Sequence, residues 1–139
     1  MEAKSEGKKP AAAEELAACI NDAKTPIVMF SLEWCEFCWA VAKLFVEYEI
    51  PYRIINLDAA EYVDNDRGRN IRLALNKETT WNTLPQIFIG GDFVGGCMDI
   101  FTECKNGKLQ ERLQRLGIPY NQAITTEPTS FLPAWLHPR

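Results

Sequence analysis

Two cysteines separated by two residues carry the clearest chemistry in this sequence: Cys35 and Cys38, in the run Trp34-Cys35-Glu36-Phe37-Cys38. An apolar segment typical of a buried strand precedes the run, and a segment with helical periodicity follows it. At the start of a helix, unpaired backbone N–H groups and the helix dipole stabilise a thiolate. We therefore expect Cys35 to be a nucleophile in thiol–disulfide exchange. Cys38, one turn further along, is placed to attack the resulting mixed disulfide and release the product.

The same pair has two other interpretations. A CxxC pair can be half of a zinc site, which needs four ligands. The sequence has no second CxxC pair, and its one histidine, His137, lies in the tail, so no metal site is predicted. Cys38 could also be a small buried side chain, but that interpretation leaves Cys35 unexplained.

A second segment, Thr83-Leu84-Pro85, comes directly before an apolar run that predicts a strand. The bond before a proline is the one place where a cis peptide costs little. A cis bond here would turn the backbone N–H and C=O of Leu84 outward, ready to pair with an extended thiol substrate. The alternative is an ordinary proline at the start of a strand.

A third segment is Gly95-Gly96-Cys97-Met98-Asp99. The glycines permit a close backbone approach, and a helix that begins after them offers N–H groups to an anion. Asp99 could bind an ammonium group of a ligand, or it could cap the helix. These two roles are compatible.

Hydrophobic periodicity predicts the elements that must position these residues. The predicted helices cover 11–23, 36–49 and about 71–75, with a further helical region over 98–116 that is divided at Gly107. The predicted strands cover 27–30, 52–57 and 86–89, and a hairpin at 90–92 leads into a fourth strand at 93–94. This order predicts an α/β fold, a mixed four-stranded sheet flanked by helices. We assign residues 1–10 to a flexible N-terminal segment, 11–116 to one domain and 117–139 to an irregular, proline-rich C-terminal extension.

Composition narrows the class of protein. The 139 residues carry a net charge of −4, so we expect neither nucleic acid nor a membrane as partner. We expect no secretory signal, because Glu14 and Glu15 interrupt the alanine-rich stretch near the N-terminus. Five cysteines cannot all pair within the chain, which favours a reducing, cytoplasmic location.

The three motifs, in this order, resemble the glutaredoxin family, and the resemblance covers about residues 12–116. It implies a thioredoxin fold and a redox-active disulfide, with glutathione as reductant. The implied activity is an oxidoreductase of electron transport and cell redox homeostasis, which reduces disulfide-containing proteins or small molecules and glutathione mixed disulfides. It also implies that Cys35 is the catalytic nucleophile and Cys38 the resolving thiol.

The resemblance further implies a glutathione site. Phe37 would line it, and Leu84 would pair with glutathione through its backbone just before Pro85. The γ-glutamyl end would meet the peptide N–H of Cys97 and the side chain of Asp99. Arg72 would contact the glycyl carboxylate.

The sequence departs from the family near Cys35. Leu32 stands where a lysine is usual, and Glu33 and Glu36 flank the site. Negative charge near a thiolate opposes its formation. The resemblance also implies that the missing lysine would aid the binding of glutathione's carboxylate, so we expect weaker glutathione binding than is typical.

Glu36 also replaces a proline that is common in the family. Family members without that proline sometimes bind a [2Fe–2S] cluster between two monomers, with the first cysteine of each and two glutathiones as ligands. The alternative function is therefore a cluster-binding dimer, an iron–sulfur carrier or redox sensor with Cys35 as metal ligand. The main interpretation expects a monomer.

The tail and the run from Ser31 to Trp39 look like the glutaredoxin module appended to cysteine-synthase-like enzymes. A fusion partner or partner enzyme of cysteine metabolism is one implication. We expect Phe131 and Trp135, in the tail, to pack back on the domain.

Overall fold

The computed structural model describes residues 2–133, with side chains from residue 11 onward. The helices are α1 (Glu2–Ile20), α2 (Glu36–Glu47), α3 (Arg67–Thr79), α4 (Cys97–Asn106) and α5 (Lys108–Leu116). The strands are β1 (Ile27–Ser31), β2 (Arg53–Asn56), β3 (Gln86–Ile89) and β4 (Asp92–Gly95). Short 3₁₀ turns lie at Ala60–Tyr62, Asp64–Asp66 and Pro128–Phe131. Within the described part of the chain, none of the helices combines the length and apolar character needed to span a bilayer.

The strands form one mixed sheet in the order β2-β1-β3-β4. β1 pairs in parallel with β2 and antiparallel with β3, and β3 pairs antiparallel with β4. The fold is the thioredoxin fold, a mixed four-stranded sheet flanked by helices, so the predicted fold class is confirmed.

Both faces of the sheet are buried, which explains why β1 is apolar throughout. Ile27 and Met29 point into a cluster with residues of α2, α4 and α5. Val28 and Phe30 point the other way, into a cluster with residues of α1 and α3. The alternation along one strand therefore fixes which helices lie on which face.

The first helix begins earlier than the sequence analysis predicts, at Glu2 instead of residue 11, and ends at Ile20 instead of residue 23. Lysine, glutamate and alanine are good helix formers, so a polar stretch can be helical without hydrophobic periodicity. Periodicity gives no signal in such a stretch, and the predicted start at residue 11 was therefore wrong. The assignment of 1–10 as a flexible segment stays a prediction.

The C-terminal extension packs back on the domain in the part that the structure describes. Phe131 contacts the cluster under α2 and α4, as predicted. The backbone N–H of Asn121 donates to the carbonyl of Tyr48 at 2.7 Å, and the Tyr48 hydroxyl donates to the carbonyl of Thr126 at 3.3 Å. Trp135 and His137 lie outside the described residues.

Gly68→Ala is expected to destabilise the protein, although alanine is normally about 1 kcal/mol better than glycine inside a helix. A methyl group at Gly68, in the first turn of α3, would overlap the carbonyl oxygen of Leu57 and lie 3.1 Å from Cβ of Tyr62. Because a backbone carbonyl cannot rotate away, we expect a loss of about 2–3 kcal/mol in the free energy of unfolding, measured by urea titration. The control Asn70→Ala, at an exposed position of the same helix, should be neutral or stabilising. Equal stability of Gly68→Ala and the parent would contradict the prediction.

Candidate active site

Cys35 is the N-cap residue of α2, with extended backbone angles. Its Sγ accepts a hydrogen bond from the backbone N–H of Cys38 at 3.2 Å. In this position the sulfur serves as the side-chain acceptor for an N–H group of the first turn, which the helix cannot satisfy itself. The half-buried side chain stays accessible, and its sulfur lies at the N-terminal end of the α2 dipole.

Cys38 has a different environment from Cys35. It is fully buried, and burial raises the pKa of its thiol to about 12, with the hydrogen bond to Cys35 adding to the rise and Ser31 opposing it. Both cysteines carry free thiols. An accessible sulfur next to a buried, protonated one is the arrangement in which the first attacks and the second resolves.

The proline segment lies beside this pair. The Leu84–Pro85 peptide bond is cis, as the sequence analysis considered, and Pro85 is buried. The Cys35 thiol donates a weak hydrogen bond to the carbonyl oxygen of Leu84 at 3.9 Å. The structure therefore brings together two segments that lie 49 residues apart in the chain.

The glycine segment forms the start of α4 and is the third segment that borders the cysteine pair. Asp99 Oδ2 accepts a hydrogen bond from the N–H of Gly96 at 2.9 Å, so the capping role of Asp99 is present. Burial raises the pKa of the Cys97 thiol to about 12, with the nearby Cys38 and Cys35 contributing. Cys97 is thus a buried, neutral thiol near Cys35 and Cys38.

Arg72 and Phe37 lie at the edges of this arrangement. Arg72, on α3, donates to the carbonyl of Asn82 at 3.4 Å, which brings its guanidinium to the loop before Leu84. Phe37 lies in the first turn of α2 and is 40% exposed. The ligand roles of these two residues, like those of Leu84, Pro85, Cys97 and Asp99, stay predictions.

The sequence analysis missed two residues that shape the site. Trp81 packs edge-on against Phe93, with ring centroids 5.1 Å apart. A methyl group added at Gly96 would lie 3.3 Å from Trp81 Cζ3 and 3.3 Å from the carbonyl oxygen of Pro85. The Trp81 ring therefore flanks the backbone at the start of α4. The only sequence signal was a tryptophan close to the proline segment.

The second missed residue is Gln86, a buried polar side chain. Its amide nitrogen donates to the carbonyls of Trp81 at 3.3 Å and Thr83 at 3.1 Å. Its amide oxygen accepts from the hydroxyl of Thr79 at 2.8 Å. Gln86 thus holds the loop that carries Leu84, and a polar residue at the start of an apolar strand was the available signal.

Comparison with known proteins agrees with this arrangement. The glutaredoxin family model matches residues 27–94. Rice glutaredoxin-C6 is 35% identical over 104 residues, which are 75% of this chain and 88% of that protein. Glutaredoxin-C1 of Arabidopsis thaliana is 31% identical over 109 residues, 75% of this chain and 83% of that protein. Human mitochondrial glutaredoxin-2 is 37% identical, but the match covers 60% of this chain and only 48% of that protein.

Solved structures give the same result. A buckwheat glutaredoxin–glutathione complex has a TM-score of 0.71 and 32% identity, and the match covers 81% of this chain and 96% of that one. Wheat glutaredoxin has a TM-score of 0.69 and 34% identity, with 78% and 98% covered. The similarity therefore includes the sheet and the helices that position the cysteine pair.

Proposed function

This chain belongs to the glutaredoxin family of thiol oxidoreductases, and we propose that it uses glutathione to reduce disulfides and glutathione mixed disulfides. The observation that carries the proposal is the position of Cys35. Its sulfur caps α2, receives the N–H of Cys38 and faces the carbonyl of Leu84. These three features place the Cys35 sulfur next to the backbone of Leu84, with which an extended thiol compound can form hydrogen bonds.

The reaction follows from the two sulfur environments. The Cys35 thiolate attacks one sulfur of the substrate, a new S–S bond forms, and the other substrate sulfur leaves as a thiolate that takes a proton. With a disulfide substrate, Cys38 then attacks the Cys35 sulfur and releases the reduced product. The substrate sulfur leaves as a thiolate and takes a proton, and the hydrogen bond from the Cys38 N–H supports Cys35 in the first, attacking step. Two molecules of glutathione reduce the Cys35–Cys38 disulfide and become glutathione disulfide, so the two electrons balance.

Three features support glutathione as the thiol compound. The fold matches a relative solved as a glutathione complex. The start of α4 beside Cys97 presents backbone N–H groups, which favour a carboxylate. On the other side of the proline segment, Arg72 reaches the Asn82 carbonyl, where a second carboxylate could pair with its guanidinium.

The direct test is reduction of hydroxyethyl disulfide with glutathione, followed by NADPH consumption through glutathione reductase. We expect turnover that saturates with glutathione. Turnover supported by dithiothreitol but not by glutathione would leave the oxidoreductase activity intact and reject glutathione as the reductant.

Substitutions of Asp99 separate its two roles. If the carboxylate binds the ammonium group of glutathione, Asp99→Asn should raise KM for glutathione about tenfold with little change in kcat, because a hydrogen bond to a charged group is lost. The asparagine oxygen can still accept the Gly96 N–H, so the melting temperature should stay near that of the parent. Asp99→Ala should raise KM similarly and also cost about 1 kcal/mol of stability. An unchanged KM in Asp99→Asn would leave only the capping role.

A second candidate function is the [2Fe–2S] carrier, and the observation that favours it is the accessible Cys35 sulfur without a proline at position 36. Among residues 2–133, no three histidine, cysteine or acidic side chains are grouped as a metal site. In this alternative each chain would supply Cys35, and a second copy and two glutathiones would supply the rest. Anaerobic purification with glutathione should distinguish the two functions. A coloured dimer containing acid-labile sulfide, with little turnover, would support the carrier.

A further inference from the structure

Three aromatic side chains surround the nucleophile on the surface. Trp34 is 83% exposed, Phe37 40% and Trp39 42%. We call these three the aromatic rim. Large exposed aromatic groups are concentrated where a protein contacts a partner, and here they flank the reactive sulfur on both sides in the chain.

A ring contact and hydrogen bonds hold the two tryptophans of the rim in place. The rings of Trp34 and Trp39 meet edge to face, with centroids 6.0 Å apart. The indole N–H of Trp39 donates to the carbonyl of Glu33 at 2.9 Å, and the N–H of Glu33 donates to Asp58 Oδ1 at 2.8 Å. The loop before Cys35 is therefore tied both to α2 and to the segment after β2.

The charge at the rim is negative. Glu33 and Glu36 are the only charged residues between positions 27 and 42, and the exposed Asp58 adjoins Glu33. Carboxylates beside exposed indole rings form a surface that suits a guanidinium or ammonium group, through ion pairing and cation–π contact. Glutathione carries two carboxylates and one ammonium group, so the carboxylates of Glu33, Glu36 and Asp58 do not match its charge.

We propose that the aromatic rim, with Glu33 and Glu36, docks a cationic segment of a protein disulfide substrate, one with arginine or lysine next to the disulfide cysteine. The inference rests on the proposed function and names the substrate class of the same site. The peptide disulfide meets Cys35, its arginine or lysine meets the rim, and exchange proceeds by the steps given above, with glutathione as the final reductant.

The test uses two peptides that differ only in the residues flanking one cysteine, arginine in the first and glutamate in the second. Each carries 5-thio-2-nitrobenzoate (TNB) in disulfide linkage to that cysteine. The reduced protein is mixed with each peptide without glutathione, and the yellow TNB released is followed by stopped flow. The measured quantity is the ratio of the two rates, divided by the same ratio for dithiothreitol. This division removes differences in the reactivity of the peptides themselves.

For the parent protein we expect a ratio of about ten in favour of the arginine peptide at low salt, since two ion pairs close to the surface each contribute modestly. The ratio should fall toward one in 0.5 M salt. It should drop below one in the double variant Glu33→Lys/Glu36→Lys. Trp34→Ser should lower it only in part, because the carboxylates remain. Since each ratio compares two peptides on one protein, changes in the reactivity of Cys35 cancel.

The matched control is Glu47→Lys, which changes a charge at the other end of α2, roughly 16 Å away along the helix. It should keep the ratio of the parent. A ratio of one in the parent, or a loss of the ratio in Glu47→Lys as large as in the double variant, would overturn the docking surface while leaving the oxidoreductase function standing. Failure to release TNB from either peptide would instead reject the proposed function itself.

Discussion

Replacing Cys35 by serine is expected to lower the turnover of hydroxyethyl disulfide roughly a thousandfold or more, to the rate without protein. A serine hydroxyl is essentially un-ionised at neutral pH and cannot form a disulfide. The backbone N–H of Cys38 can still donate to the serine oxygen, so the start of α2 should survive. Melting temperature and the far-UV circular dichroism spectrum should therefore match the parent.

Cys38→Ser should have a different effect, and the contrast assigns the two roles. With a glutathione mixed disulfide as substrate, a second glutathione can attack the adduct on Cys35, so we expect much of the activity to remain. With a protein disulfide as substrate, the adduct has no resolving thiol, and a stable mixed disulfide should accumulate, visible by mass spectrometry as protein plus substrate.

Cys19→Ser provides the control for both variants. Cys19 is half-buried on α1 and packs against the cluster of α1 and α3, away from the pair, so its loss should leave both activities unchanged. Retained turnover in Cys35→Ser together with loss in Cys38→Ser would exchange the assigned roles of the two thiols.

Local patterns predicted the parts of this fold that local forces determine. β1 is a short, largely apolar run after Pro26, β3 is another between Pro85 and Gly90, and α2 carries an apolar stripe that ends before Pro51. All three were confirmed, because hydrophobic periodicity and the positions of proline and glycine depend only on residues that are close in the chain. The division of the last helical region at Gly107 was confirmed for the same reason: the residue adopts a left-handed conformation, with φ of 87°.

Contacts between distant segments could not be predicted in this way. Trp81 reaches the start of α4, and Asp58 holds the N–H of Glu33, 25 residues away. Nothing in the pattern around either residue indicates its partner, because the pairing depends on how the sheet places their loops. The three motifs were identified as separate segments, and only the fold shows that Cys35 faces Leu84.

The same distinction applies to charge. Glu33 and Glu36 could be predicted to oppose a thiolate, since they are neighbours of Cys35 in the chain. Their relation to the exposed rings required the structure, which shows Trp39 holding the loop that presents Glu33. The substrate preference we propose follows from that spatial relation and not from the sequence motif.

Burial of Cys38 leads to the second large expected effect, on the pH dependence of the resolving step. Only the thiolate attacks a disulfide, and burial raises the pKa of the Cys38 thiol to about 12. Below that value the thiolate fraction grows with pH, so resolution of the mixed disulfide should accelerate about tenfold per pH unit between about pH 6 and pH 9. In the mixed disulfide Cys35 carries no charge, so its contribution to the raised Cys38 pKa is lost. Burial is the largest cause of that raised pKa, and it remains.

Stopped-flow reaction with one equivalent of Ellman's reagent, in a Cys19→Ser background, would measure this step. The first TNB leaves when Cys35 attacks the reagent, and the second leaves when Cys38 attacks the Cys35 sulfur. We expect two phases, with the second slower and rising steeply with pH, and only one TNB released by Cys38→Ser. A second phase that does not change with pH would mean that Cys38 is already ionised in the adduct. In that case protonation of the buried Cys38 would not limit the lifetime of the mixed disulfide. The access of glutathione to the Cys35 sulfur would then decide how well glutathione competes with Cys38.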